Sequence, residues 1–390
     1  MGHLRVGGHP LRPLVVLGAT GSIGRQTLDV AERIGAPVAV IAAGRASSEL
    51  LELALEHPDA TVCVVEGGDQ LRRLELQLGA RLRVGQAAVT DAASMSGSIV
   101  VNGIVGAAGL GPSLAALHAG NRLALANKES LVIGGPLIRA ARESGGGEVV
   151  PIDSEHSAVW QCLVGEPAGV VRRLVLTASG GPFHGRSPAS LDDVTVEEAL
   201  AHPTWDMGKR ISVDSATLMN KAFEVIEAHY LFGIPYDSID VVVHPQSVVH
   251  SFVEFTDGVV KAEVGFPDMR KPIQYAITGP TRVPVSAEPF SLVGTTLTFE
   301  APDRDSFPCL DLGYAAGRAG GTAPVVLNAA DEVAVAAFLS GEIAFPAIAA
   351  VVEAVLERHD VFVPGTVAEI EAVDGDARTW AREAVRSLQR

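Results

Sequence analysis

Carboxylates in two segments of this chain stand in arrangements that call for a partner. Asp153 and Glu155 lie two apart in Asp153-Ser154-Glu155-His156-Ser157, at the expected exit of a strand from Glu148 to Ile152. If the chain is still extended there, both side chains face one crevice, and adjacent carboxylates need a cation or a shared proton. A helix N-cap by Asp153 or Ser154, with Glu155 in the first turn, accounts for the same residues equally well. The other segment is Ile211-Ser212-Val213-Asp214-Ser215-Ala216-Thr217-Leu218-Met219-Asn220-Lys221-Ala222-Phe223-Glu224. A helix beginning near Asp214 puts Thr217, Asn220, Lys221 and Glu224 on one stripe, with Leu218, Phe223, Val225 and Ile226 elsewhere. The plain alternative is a Lys221/Glu224 pair on a wet surface. Only five of the 30 basic residues are Lys, however, namely Lys128, Lys209, Lys221, Lys261 and Lys271. A lysine is therefore worth attention, and the stripe suits a site in which Glu224 gives a third oxygen ligand while Lys221, Asn220 and Ser215 hold a phosphate.

Two loops add parts. In Thr177-Ala178-Ser179-Gly180-Gly181-Pro182-Phe183, Ser179 ends a strand before two glycines, so its hydroxyl and the next N–H groups can cup an anion. His202-Pro203-Thr204-Trp205-Asp206-Met207-Gly208 offers an aromatic and a thioether between Pro and Gly, suited to a lid that excludes water. Near the start, Leu14-Val15-Val16-Leu17 runs into Gly18-Ala19-Thr20-Gly21-Ser22-Ile23-Gly24. Such glycine spacing between a strand and a helix lets backbone N–H groups approach a pyrophosphate, unless it merely packs the helix on the sheet. The next strand ends at Gly44-Arg45-Ala46-Ser47, with no acid before Glu49, so a 2′-phosphate suits it better than bare ribose hydroxyls. That reading predicts NADPH and rests on Arg45 and Ser47; Arg45 as a solvated loop charge is the alternative.

The elements that must position these residues are legible as alternation. Short apolar runs at Leu14 to Leu17, Val38 to Ala42, Thr61 to Val65, Ser98 to Ile104, Arg122 to Ala126 and Glu148 to Ile152 read as strands of a sheet covered on both faces. Between them, Ser22 to Ile34, Ser48 to Glu56, Leu110 to Ala119 and Ser130 to Glu143 read as helices, the last closed by Gly145-Gly146-Gly147. Residues 1–150 are thus an α/β, Rossmann-like parallel domain. Residues 151–280 change to α+β, with strands Leu174 to Ser179, Asp240 to His244, Val248 to Phe255 and Val259 to Val264 in a mixed or antiparallel sheet, and a long helix after Asp214. Residues 281–308 read as a linker. In 309–390, helices at Leu310 to Ala319, Val325 to Leu339, Ala347 to Arg358 and Val367 to Leu388 make a small bundle.

Composition narrows the partners. With 46 acidic against 30 basic residues, the net charge of −16 has the wrong sign for nucleic acid. Mean hydropathy is +0.27, yet no run of apolar residues is long enough to cross a bilayer. Cys63, Cys162 and Cys309 have neither CxxC spacing nor a paired His, which suits a reducing, cytoplasmic setting without thiolate metal. The first dozen residues lack a signal-peptide pattern and read as a disordered lead-in.

Together, GATGSIG, VNGIVGAAGL, LANKESLV, PIDSEHSA, LTASGGPF, HPTWDMGKRISVDSATLMNKAFEVIEA, HPQSVVHS and LNAADE resemble, in order and spacing from about Pro13 to Leu356, the 1-deoxy-D-xylulose 5-phosphate reductoisomerase family. The resemblance implies NADPH-dependent conversion of that phosphosugar to 2-C-methyl-D-erythritol 4-phosphate in the non-mevalonate isoprenoid pathway. It implies Mg2+ or Mn2+ at Asp153, Glu155 and Glu224, and substrate contacts at Lys128, Ser154, Glu155, Ser179, His202, Ser215, Asn220, Lys221 and Glu224. The chemistry would fall to Lys128, Asp153, Glu155 and Glu224, with His202 and Trp205 on the lid. Cofactor contacts are implied at Thr20, Gly21, Ser22, Ile23, Gly44, Arg45, Asn127, Glu129 and Gly208, with Ala46 and Ser47 beside them. A homodimer of V-shaped protomers, dimerising through the central domain, and inhibition by fosmidomycin-type hydroxamates are also implied. Two positions depart from the family: Ala46 stands where many members have Asn, and Asp331 where NAANE is common. The competing readings are an aldehyde or semialdehyde dehydrogenase using Cys162 with His156, and a non-enzymatic NADPH-binding regulator.

Overall fold

The structure is a computed structural model and describes residues 5–6, 9–205, 207–284 and 290–389. The chain forms two compact units. Met1–Ser130, Leu137–Val164 and Asp268–Glu288 belong to the first, and Leu131–Pro136, Gly165–Pro267 and Pro289–Arg390 to the second.

The first unit is built on seven strands, β1 (Leu14–Leu17), β2 (Val38–Arg45), β3 (Thr61–Glu66), β4 (Leu82–Val84), β5 (Ile99–Asn102), β6 (Arg122–Leu125) and β7 (Glu148–Pro151). They lie in the order β4-β3-β2-β1-β5-β6-β7, and every pairing is parallel. Apolar residues at nearly every position allow this, because both faces are covered: on one, Leu14, Val16, Ile41, Val62 and Val101 are buried in a cluster with Leu28 and Ile34 of helix Ser22–Ile34 and Ile273 and Ile277 of helix Arg270–Thr278, and on the other, Val15, Leu17, Val100 and Leu123 are wholly buried as well. The strand order reverses direction between β1 and β5, which opens a crevice at the carboxyl ends of the strands.

Sequence reading placed the six longer strands of this sheet and missed β4, together with helices Leu71–Leu78 and Gln86–Ala93. β4 is too short, at three residues, to show a period. Leu71, Leu74 and Leu78 had the helical spacing and were readable. The expected lead-in is in part a strand pair, Arg5–Val6 against His9–Pro10, while residues 1–4 and 7–8 lie outside the described residues.

In the second unit, β8 (Val171–Ala178), β9 (Ile239–Val243), β10 (Val249–Phe255) and β11 (Val260–Val264) form a sheet in the order β9-β8-β10-β11. β8 and β9 are parallel and the other pairings antiparallel, the mixed sheet that the sequence suggests. Residues 290–308 add only an isolated bridge, Glu300 to Val243. Helices Cys309–Ala319, Ala323–Leu339, Ala347–Arg358 and Val367–Ser387 make the C-terminal helical region. Ala323–Leu339 is its centre, apolar and buried on most of its circumference. Gly313 lets helix Cys309–Ala319 close on helix Met219–Phe232, since a Cβ there would lie 2.3 Å from that of Ala222.

One expectation fails. The long helix after Asp214 is two helices, Lys209–Ala216 and Met219–Phe232, broken at Leu218, whose φ of 62° is left-handed. Thr217 makes the break tolerable: its Oγ1 donates to the Val213 carbonyl at 3.2 Å and accepts from the Met219 N–H at 3.3 Å. A bulky residue in that region costs on the order of 1 kcal/mol, and neither Thr nor Leu advertises it in sequence.

The glycine loop after β1 explains its own composition. Gly18 has φ +78° and a Cβ there would sit 2.5 Å from the Gly103 carbonyl oxygen, while one on Gly24 would sit 2.3 Å from that of Gly18. Gly24→Ala is therefore expected to destabilise the first unit by roughly 1–3 kcal/mol and to weaken dinucleotide binding at least tenfold, checked by denaturant unfolding and NADPH fluorescence titration.

Candidate functional site

The first unit gathers its candidates at the carboxyl ends of strands. Thr20, Gly21, Ser22 and Ile23 follow β1, and Gly21 is the N-cap of helix Ser22–Ile34 without any side-chain cap or acid in the first turn. The first N–H groups of that helix are thus left for an anion. Gly44 and Arg45 end β2, Ala46 is buried, and Ser47 caps helix Ser48–Glu56 by accepting from the Leu50 N–H at 3.1 Å. That cap uses a lone pair of the Ser47 hydroxyl and leaves its proton to donate. Arg45 is largely exposed and pairs with Glu66 at 3.0 Å. Asn127 follows β6 and is committed to the backbone: its Oδ1 accepts from the Ser130 N–H at 3.0 Å, and its Nδ2 donates to the carbonyls of Ile104 and Gly106 and to Glu129 Oε2 at 2.7 Å. A buried chain of hydroxyls and amides, Asn102, Ser113 and Ser130, holds Asn127 in turn. Nothing in the sequence reading singled out these three.

Lys128 and Asp153, on the adjacent β6 and β7 connections, form an ion pair. Asp153 does stand at the N-cap position of helix Ser154–Leu163, but its side chain makes no cap hydrogen bond. The cap reading therefore loses its physical content. Burial pushes the Asp153 carboxyl up, but Lys128 and His156, whose Nδ1 lies 3.4 Å away, hold it well below the usual carboxylate range. His156 is fully buried, a partner the sequence reading considered only for the dehydrogenase alternative; its i, i+3 spacing from Asp153 on a helix was the available signal. Ser154 Oγ donates to Glu155 Oε2 at 2.6 Å. Cys162 is buried at the far end of the same helix, poorly placed for a nucleophile.

In the second unit, Ser179 follows β8. Gly181 folds back so closely that a Cβ would sit 2.8 Å from the Ser215 carbonyl oxygen, which brings the Ser179 and Ser215 segments together. His202 Nδ1 accepts from the N–H groups of Thr204 at 3.1 Å and Trp205 at 3.0 Å. The proton of the neutral ring is then on Nε2, which donates to Ser179 Oγ at 2.9 Å. Ser179 Oγ also accepts from the Gly181 N–H at 3.2 Å, so its own proton is directed to a third group. Trp205 and Met207 are half-buried, Gly208 is the N-cap of helix Lys209–Ala216, and Asp206 lies outside the described residues. Asn220, Lys221 and Glu224 share the first turns of helix Met219–Phe232, whose N-cap residue Leu218 gives no side-chain hydrogen bond and whose first turn has no acid. Asn220 Nδ2 donates to Glu224 Oε1 at 2.6 Å, and Lys221 pairs with Oε2. Lys221 and Glu224 are 4% and 1% exposed, so the wet-surface alternative is wrong. Ser215, expected at the start of this helix, is instead in the last turn of the preceding one.

Three family descriptions match the chain: 1-deoxy-D-xylulose 5-phosphate reductoisomerase over residues 14–135, its C-terminal domain over 149–232, and DXP reductoisomerase C-terminal domain over 264–380. The enzyme of that name from Caulobacter vibrioides is 49% identical, covering 96% of each chain. That from Thermosynechococcus vestitus is 46% identical over 97% of this chain and 93% of its own. The chain belongs to the 1-deoxy-D-xylulose 5-phosphate reductoisomerase family.

Solved structures agree. The Zymomonas mobilis reductoisomerase in complex with NADPH superposes with a TM-score of 0.90 at 40% identity, covering 97% of this chain and all (100%) of its own. A reductoisomerase in complex with NADPH, fosmidomycin and magnesium gives 0.88 at 37% identity, covering 96% and 98%. The residues of this chain suit both groups. Oxygen donors of Asp153, Glu155 and Glu224 are the chemistry a hard divalent cation takes, and the uncapped glycine turn is what a pyrophosphate takes.

Burial lowers the pKa of His202 below that of the unfolded chain, so this residue favours folding above about pH 6.5 and disfavours it as pH falls below that. The melting temperature of the natural chain should therefore drop further between pH 7 and 5 than that of His202→Gln; parallel curves would show that His202 carries no such linkage.

Proposed function

We propose that this chain converts 1-deoxy-D-xylulose 5-phosphate to 2-C-methyl-D-erythritol 4-phosphate with NADPH and a divalent cation, Mg2+ or Mn2+. Supporting it is one combination, carried by a chain of this family: an uncapped dinucleotide turn, and carboxylates paired with the chain's scarce lysines.

Asp153, Glu155 and Glu224 are proposed as the metal ligands. When bound, the cation polarises the ketone oxygen of the substrate, and NADPH supplies the hydride that reduces the rearranged carbon skeleton. The protein's own groups do the rest. Asn220 and Lys221 in the first turn of their helix, with Ser215 and the Ser179 hydroxyl, bind the phosphate dianion and so fix the register of the carbon chain. His202 keeps Ser179 in its donating orientation through Nε2–H. Ser154 and Glu155 contact the substrate hydroxyls, and Lys128, paired with Asp153, places a cation beside developing negative charge. Trp205 and Met207 cover the substrate and exclude water.

For the cofactor, Thr20, Gly21, Ser22 and Ile23 take the pyrophosphate, while Gly44, Arg45, Ala46 and Ser47 take the 2′-phosphate. Arg45 would exchange Glu66 for that phosphate, and Ser47 donates the proton its cap leaves over. Asn127, Glu129 and Gly208 are proposed on the nicotinamide side. We further assign the chain to the cytoplasm as a homodimer; no helix among the described residues is long and apolar enough to cross a membrane.

The test is loss of NADPH absorbance on adding the phosphosugar. Turnover that stops with a chelator and returns with Mg2+ is expected; no turnover with metal present would overturn the assignment. Arg45→Ala should raise the KM for NADPH about tenfold or more and leave that for NADH within about twofold, since only the 2′-phosphate is lost as a partner. Trp205→Ala should lower kcat with little change in melting temperature; a large thermal loss would mark Trp205 as core.

A further inference from the structure

β5 ends at Asn102, and residues 103–106, before the short turn Ala107–Gly109, belong to no strand or helix. Their backbone groups must find partners outside a ladder. Two asparagines supply them from either side. Asn102 Oδ1 accepts from the Ile104 N–H at 3.1 Å, and its Nδ2 donates to the Gly109 carbonyl at 2.9 Å. Asn127, just beyond the neighbouring strand β6, donates through Nδ2 to the carbonyls of Ile104 at 2.8 Å and Gly106 at 3.0 Å. The fit is close, since a Cβ on Gly109 would lie 2.3 Å from Asn127 Oδ1. On its other side the segment meets the glycine turn after β1: a Cβ on Gly18 would lie 2.5 Å from the Gly103 carbonyl oxygen and 3.1 Å from the Ile104 nitrogen. Residues 103–109 thus stand between that turn and Asn127, where the strand order reverses.

Two hydroxyls join the asparagines, Ser113 from helix Leu110–His118 and Ser130 from the first turn of helix Lys128–Gly145, and the direction of their bonds follows from the end groups. Asn127 Oδ1 can only accept, so the Ser130 hydroxyl bonded to it has its proton there. The Ser113 hydroxyl, 3.0 Å from that of Ser130, must then be the donor between the two. Asn102 Nδ2 in turn donates to Ser113 Oγ at 2.8 Å. The chain of bonds runs one way, from Asn102 through Ser113 and Ser130 to Asn127, and all four residues are buried, at 2% exposure or less. Both lone pairs of Asn127 Oδ1 are taken by the Ser130 N–H and hydroxyl, and its Nδ2 already faces three acceptors, the two carbonyls and Glu129.

We propose that Ser113 and Ser130 are positioning residues of the dinucleotide site: their hydroxyls fix the Asn127 amide, which acts on the cofactor through residues 103–109 that it holds against the glycine turn. Asn121 offers the comparison. It stands at the opposite, amino end of the same strands, is equally buried, and binds backbone in the same manner, accepting from the Ser98 N–H at 3.2 Å and donating to the carbonyls of Ala93 at 3.1 Å and Met95 at 2.9 Å. It has the structural task without the site.

The inference rests on the reading of the glycine turn as a dinucleotide site. The experiment titrates the full-length natural chain, Ser113→Ala and Asn121→Ala with NADPH and with NADH by fluorescence, and follows amide hydrogen exchange of residues 103–109 in the same chains without cofactor. Each substitution strands buried polar groups, so both variants should lose melting temperature. Only Ser113→Ala should raise the Kd, by about fivefold or more and equally for the two cofactors, because the residues proposed for the 2′-phosphate are untouched. Only it should speed exchange in 103–109, by about tenfold or more. Asn121→Ala should stay within about twofold of the natural chain in both measurements. A Kd for Ser113→Ala within about twofold of the natural one, or an equal weakening by Asn121→Ala, would overturn the proposal. If Ser113→Ala does not fold, Ser130→Ala breaks the chain of bonds one step later, keeps the backbone N–H on Asn127, and is read by the same criteria. A natural chain that binds neither cofactor would fail the functional reading and this proposal with it, an outcome distinct from binding that the variants leave unchanged.

Discussion

The register of the parallel sheet is the constraint on which the first unit's chemistry depends. Pairing of Leu125 with Pro151 fixes where β6 and β7 end, and Lys128 and Asp153 leave those ends as neighbours. Each charge would be costly alone in a half-buried site, and together they form an ion pair. The same sheet delivers the glycine turn after β1 and the Arg45 segment after β2 to the same carboxyl-end side. Shifting a strand by one residue would turn its fully buried apolar side chains to the other face, so the register that protects the core also protects the site.

The second unit meets the same demand with a different device. Its polar groups hold one another: Glu224 is held by Asn220 and Lys221, Ser179 by His202 and Gly181, and Arg210 by the acids of the central C-terminal helix. Such sets hold side chains in place before any ligand arrives, and a ligand that binds there exchanges one set of partners for another. The break at Leu218 separates Ser215 from Asn220 and Lys221, so the two groups come from two helix ends rather than one continuous stripe.

Much of this was legible in the residues. The alternation of apolar runs and amphipathic stretches located the strands of the parallel sheet except β4, and the mixed sheet, because buried parallel strands must be apolar and hairpin turns must carry residues such as Gly258. The carboxylates were legible by their spacing, and the lysines because only five of the 30 basic residues are Lys. The helix break was not, since Thr217 and Leu218 have ordinary helical propensities and only the tertiary surroundings favour the left-handed turn. Nor was the role of Asn127: a cap and a cofactor contact call for the same residue type, and only the structure shows its amide shared among Ile104, Gly106 and Glu129. Arg210 and Asp331, which the fold brings to 3.1 Å, stand far apart in sequence, and no local pattern joins them.

Mn2+ binding to the full-length chain, followed by electron paramagnetic resonance with NADPH present, is the most direct test that these carboxylates are held for a cation. Asp153→Asn, Glu155→Gln and Glu224→Gln should each weaken Mn2+ about tenfold or more while leaving the NADPH affinity within about twofold. A Glu224→Gln chain that binds Mn2+ as tightly as the natural one would contradict the proposed role of these carboxylates as ligands to the cation.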